Sequence, residues 1–64
     1  MIKNKLKAIR MGEFFLSKRD FSKFLDIAEQ QYLRYENGQA NPSLEIAIKI
    51  SIKLNRTVND IWYL

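Results

Sequence analysis

The stretch Tyr35-Glu36-Asn37-Gly38-Gln39-Ala40-Asn41-Pro42-Ser43-Leu44 decides how this chain folds. Asn37-Gly38 is a terminator, because glycine reaches the left-handed conformation that closes a helix. Pro42-Ser43 opens the next element. Upstream of the stop, Tyr32 and Tyr35 with Ala28 share one face, which predicts a helix of about nine residues. Before it, Phe21, Phe24 and Leu25 give a shorter helical face of about eight residues. Ser17 is its expected N-cap, with Asp20 three residues on, since a hydroxyl there accepts from the free amides of the first turn. A turn of about three or four residues around Asp26 and Ile27 joins the two helices.

Downstream, Leu44, Ile46, Ile48, Ile50, Ile52 and Leu54 alternate as a strand would. That strand would be long and would have no comparable strand to pair with. The polar residues decide for a helix: Glu45, Lys49 and Lys53 fall at i, i+4, i+8, with a favourably ordered Glu45–Lys49 pair. Leu44, Ala47, Ser51 and Leu54 lie opposite, and the two small residues allow another helix to approach closely. Thr57, with Asp60 three residues later, caps a last short helix holding Val58, Ile61 and Leu64. At the other end, Ile2, Leu6 and Ile9 share a helical face, and Gly12 is the expected stop. Phe14-Phe15-Leu16 is too apolar for a solvated loop and is expected to fold back onto the core.

The chain has 64 residues, and a chain of this size buries roughly 60% of the surface its unfolded form exposes. It reads as a single domain, 1–64, without repeats or linkers. It contains no Cys and no His, which excludes disulfides, zinc-thiolate sites and His-based acid–base chemistry. The carboxylates are scattered among basic residues with no nucleophile–base arrangement, so no enzyme, cofactor or metal is expected. No apolar run approaches the roughly 18 residues of a membrane span, and no signal peptide is visible. A soluble, cytoplasmic protein without a membrane partner or small-molecule ligand is expected. The charge is uneven: residues 1–25 carry seven basic and two acidic groups, and residues 26–64 carry four basic and five acidic. That asymmetry favours a polyanionic partner met mainly through the first third of the chain.

From Leu6 to Trp62 the chain resembles the lambda repressor/Cro type of helix-turn-helix regulator, the xenobiotic-response-element family. The resemblance rests on two strings in combination, E-N-G-x-x-N-P-S-L at 36–44 and L-N-x-x-V-x-D-I at 54–61. It implies an all-α, five-helix lambda-repressor-like DNA-binding domain with its helix-turn-helix at about 17–37, similar to short repressors that dimerise without a separate domain. It also implies that Phe21, Leu25, Ile27, Tyr32 and Tyr35 pack the two helices together, that Ser22 sits at their close crossing, and that Arg10 pairs with Glu36.

In such motifs the N-terminal part of the second helix lies in the major groove. That assigns base contact to Glu29, Gln30, Gln31 and Arg34. Gln30 has the amide geometry for adenine, and Arg34 can fork to guanine or to a phosphate. Glu29 can accept from cytosine or simply stabilise the helix N-terminus. The resemblance places Ser17, Lys18, Ala28, Asn37, Gln39 and Asn41 along the DNA backbone, Asn37 being equally suited to a turn role. Three departures stand out. The segment between Arg10 and Ser17 is one residue longer than the family's, which leaves Met11–Phe15 open. Asp26 occupies a position where Gly is usual, and Ala28 replaces a capping Ser or Thr at a cost of about 0.5–2 kcal/mol.

Ile52, Val58, Ile61, Trp62, Tyr63 and Leu64 form the expected homodimer interface, as aromatics are favoured between subunits. The function expected is therefore a nucleoid-associated, homodimeric transcriptional regulator, read as a repressor, on an inverted-repeat operator in double-stranded DNA. The alternative is a helix-turn-helix protein-interaction module of antitoxin or antirepressor type, for which Glu29 and Leu33 on the exposed face would speak.

Overall fold

A computed structural model describes residues 1–64. Five α-helices follow one another: α1 (Leu6–Ile9), α2 (Lys18–Phe24), α3 (Glu29–Glu36), α4 (Leu44–Lys53) and α5 (Val58–Ile61). Two short strands, β1 (Lys3–Asn4) and β2 (Trp62–Tyr63), pair antiparallel with Lys3 opposite Tyr63 and Asn4 opposite Trp62. The strand-like alternation in 44–54 is a helix, as the Glu45/Lys49/Lys53 stripe requires, and Lys49 bridges Glu45 at 3.3 Å on its exposed face.

Local chemistry sets the helix ends. Ser17, Ser43 and Thr57 accept from the backbone amides of Asp20, Ile46 and Asp60 at 3.1, 3.3 and 3.2 Å. Asp60 answers Thr57 by accepting from its backbone N–H, a complete capping box. The C-termini of α2, α3 and α4 close alike. A left-handed residue (Asp26, Gly38, Asn55) follows each, and the next amide reaches back to Ser22, Arg34 and Ser51 at 2.9 Å. This is the Schellman arrangement, in which the left-handed residue frees the chain to cap its own carbonyls. Asp26 thus takes over the role of a glycine, because a short polar side chain tolerates this backbone region.

Leu6, Phe21, Tyr32, Ile50 and Ile61 are fully buried and draw every helix into one core. Phe21 meets Tyr32 edge-on at 5.5 Å and Phe14 at 5.3 Å. Ser22 is buried between α2 and α3 and turns its hydroxyl onto the Arg19 carbonyl at 2.7 Å, so the close crossing leaves no unpaired polar atom there.

The chain ends differ from the expected helices. Ile2 and Leu64 are exposed and lie outside any helix. Asn4 is the reason at the N-terminus: its side chain accepts from the Leu6 amide at 3.0 Å, starting α1 two residues later. The Lys5 amide donates to the Ile61 carbonyl at 2.9 Å, so the termini hold each other in a strand pair. Gly12 does not stop the first helix either. The chain continues as a wider π-helical turn over Arg10–Phe14, closed by the Phe15 amide on the Arg10 carbonyl at 2.8 Å. A π turn holds more residues per turn than an α turn, so the five residues Arg10–Phe14 run on past Ile9 without a break. Phe14 and Leu16 fold onto the core as expected, but Phe15 points out, 81% exposed.

Candidate nucleic-acid interface

On α3, Tyr32 and Tyr35 face inward, and helical periodicity puts Gln30, Arg34 and Asn37 on the opposite side at i, i+4, i+7. All three are exposed, Glu29 flanks them, and Gln31 lies half-buried at the edge. The sequence therefore sets one continuous stripe of amides and a guanidinium along the outer face of α3. Ala28 sits at the N-cap in extended conformation with no side-chain hydrogen bond, so the first amides of α3 remain open to solvent or a ligand oxygen.

The residues assigned to backbone contact are at the surface as well. Ser17 and Lys18, at the start of α2, are exposed, and so are Asn37, Gln39 and Asn41 beyond α3. Ser17 uses its oxygen as an acceptor for the Asp20 amide, leaving its O–H proton free to donate outward. Every residue expected to touch DNA is thus at the surface except Gln31, which is half-covered.

A buried ion pair holds α3 in place. Arg10 Nη2 donates to Glu36 Oε1 at 3.1 Å, with the two side chains only 9% and 2% exposed. Arg10 Nη1 donates to the Leu16 carbonyl at 3.0 Å, so one guanidinium ties α1, the loop before α2 and the end of α3 together. The Glu36 hydrogen bond drives the Arg10 pKa above its ordinary value, keeping the cation charged despite burial. Tyr32 lies against this pair, but its hydroxyl makes no hydrogen bond of good geometry. Burial first, and Glu36 second, push its pKa above the ordinary phenol value. Asn4 adds a second tie, its Nδ2 donating to the Tyr35 carbonyl at 2.9 Å. Neither the Asn4 tie nor the placement of Tyr32 against the ion pair was visible in the sequence. The Asn4–Tyr35 contact spans 31 positions, and no local pattern encodes it.

The expected subunit contact is split. Ile61 is 0% exposed and Trp62 9%, so Ile61 has no surface left for a second subunit and Trp62 little. The physical reason is β2: its pairing with β1 turns the indole into the chain's own core. Ile52, Tyr63 and Leu64 remain exposed and Val58 half-buried. Ile2 and Leu44 join Val58 and Trp62 around a shallow apolar hollow, and Ile2 also lines a second with Tyr63 and Leu64. Sequence reasoning missed these two residues, because it placed Ile2 on a helical face and Leu44 against the core.

No helix is long and apolar enough to cross a membrane. The sequence profile of the helix-turn-helix family matches residues 6–61. A control protein of Mycoplasma sp., C.MunI, is 36% identical over 59 residues, covering 92% of this chain and 80% of that protein. With the helix pair, its polar outer stripe and these two likenesses in hand, the chain belongs to the lambda repressor/Cro-type helix-turn-helix family of DNA-binding transcriptional regulators.

Proposed function

We propose that this regulator is a homodimer that reads an inverted-repeat operator through α3 in the major groove and acts as a repressor. The exposed pair Gln30 and Arg34 supports this most, because it presents bidentate donors and acceptors on a helix with a buried opposite face. Gln30 and Arg34, with Glu29 and Gln31 at the edges, read bases. Ser17, Lys18, the Ala28 amide region, Asn37, Gln39 and Asn41 fix register on the sugar-phosphate track. Arg10 and Glu36 hold α3 at its angle. Dimerisation uses Ile52, Val58, Tyr63 and Leu64, extended by Ile2 and Leu44, and sets two recognition helices about 34–36 Å apart. Repression needs only occupancy of a promoter, and the site serves binding rather than catalysis. The protein would act in the cytoplasm, on the nucleoid.

Selection of bound duplexes from a random DNA pool tests this directly. Two half-sites in inverted orientation, centred about one helical turn apart, are expected. Sedimentation should give a dimer that Tyr63→Lys or Ile52→Lys dissociates. An unselective pool, or binding to random duplex without a steep salt dependence, would leave only a protein-interaction role for the fold.

A further inference from the structure

Phe15 combines three features that local folding does not require. It is a large aromatic side chain that is 81% exposed, and Met11 in the preceding π-helical turn is 54% exposed. Its backbone lies in the left-handed region, φ 55° and ψ 38°, which disfavours a bulky residue. And it closes a π-helical turn, a device that commonly marks functional positions in helices. Its neighbours solve the core problem without it: Phe14 packs on Phe21 and Phe24 at 5.3 and 5.2 Å, and Leu16 is partly buried against the core. Strain of this sort persists where the surrounding structure enforces it, and it concentrates at functional sites.

The position of the loop narrows what the ring meets. Phe15 stands two residues before Ser17, the N-cap of α2, and next to the carbonyl that Arg10 holds. The same guanidinium grips Glu36 at the end of α3, so the 15–17 loop lies beside both the start of α2 and the end of the recognition helix. Exposed Lys18 and Arg19 follow directly. Resting on the DNA-binding reading above, we infer that Phe15 is a further DNA contact, its ring packed on a deoxyribose of the strand that Ser17 and Lys18 approach. An apolar ring there removes sugar and aromatic surface from water. It adds affinity that is blind to sequence and, displacing no counterion, nearly blind to salt.

The test compares Phe15→Asn and Phe15→Tyr with the parent on two duplexes, the one selected from the random pool and a mixed-sequence duplex of equal length. Asn suits the left-handed backbone, so Phe15→Asn should fold at least as stably as the parent in thermal melts. Its affinity should fall about tenfold on both duplexes, the loss expected for an aromatic contact of about 1.4 kcal/mol, with the salt slope unchanged. Phe15→Tyr, keeping the ring, should bind like the parent. Binding by Phe15→Asn within twofold of the parent overturns the inference. So does a marked fall in its melting temperature, which would make the ring structural. A salt slope reduced by about one would point to a lost phosphate contact instead and also overturn it. If the parent itself binds neither duplex, the regulator reading fails before Phe15 is at issue.

Discussion

Removing the buried Arg10–Glu36 pair one partner at a time should cost more than removing both together. The pair is 3.1 Å apart and almost fully enclosed, with Glu36 2% exposed. Arg10→Met strands the Glu36 carboxylate and frees the Leu16 carbonyl that Arg10 caps at 3.0 Å. Glu36→Leu strands the guanidinium. Breaking a buried pair from one side costs about 3–5 kcal/mol. A chain of 64 residues, at about 0.05–0.15 kcal/mol per residue, has only about 3–10 kcal/mol in total. Each single variant should therefore lie close to unfolding. The double variant Arg10→Met/Glu36→Leu buries no charge, and its main loss is the Leu16 carbonyl, about 1–3 kcal/mol. The measurement is urea unfolding near 10 °C, roughly where stability peaks, with sucrose present to keep the singles folded. A coupling of at least about 2 kcal/mol is expected. Additivity within about 0.5 kcal/mol would refute the argument and reduce the pair to two independent charges.

Other consequences follow from the same geometry. Ala28→Ser restores a side-chain cap that α3 lacks and should stabilise the fold by about 0.5–2 kcal/mol, read as a raised urea midpoint at constant slope. Arg34→Ala should relax base preference at one operator position, costing about 1–3 kcal/mol there, and an unchanged operator affinity in a gel-shift titration would remove Arg34 from the reading set. Lys18→Ala should weaken all duplexes alike and lower the salt slope by about one. Asp60 is held below its ordinary pKa chiefly by the Thr57 backbone N–H. A depressed native pKa means that its stabilisation is complete above the unfolded carboxylate value and disappears as pH falls through the native one. Thermal melts of Asp60→Asn should consequently decline less between about pH 4 and pH 2 than those of the parent, and equal declines would exclude the capping box as a source of acid sensitivity.

The helix-turn-helix was legible because its signals are local. A hydroxyl at Ser17 reaches an amide three residues on, Gly38 takes a backbone angle of its own, and Glu45, Lys49 and Lys53 reveal a helix under an alternating apolar pattern. The Arg10–Glu36 pair was legible only through resemblance, as its members are 26 positions apart. What escaped depended on distant neighbours. Nothing near Ile2 or Tyr63 announces that the two ends pair as strands, or that the pairing buries most of Trp62.

By itself, then, the sequence determined where α2, α3 and α4 coil and stop and which α3 residues face away from the tyrosines, since periodicity and capping act within a few residues. Tertiary packing decided the rest: that of Phe14, Phe15 and Leu16 it is Phe15 that turns out, that the chain after Ile9 runs on as a π turn, and that Tyr32 lies against a buried charge pair. Those outcomes depend on which surfaces compete for one small core, and that competition is settled only when all five helices are present at once.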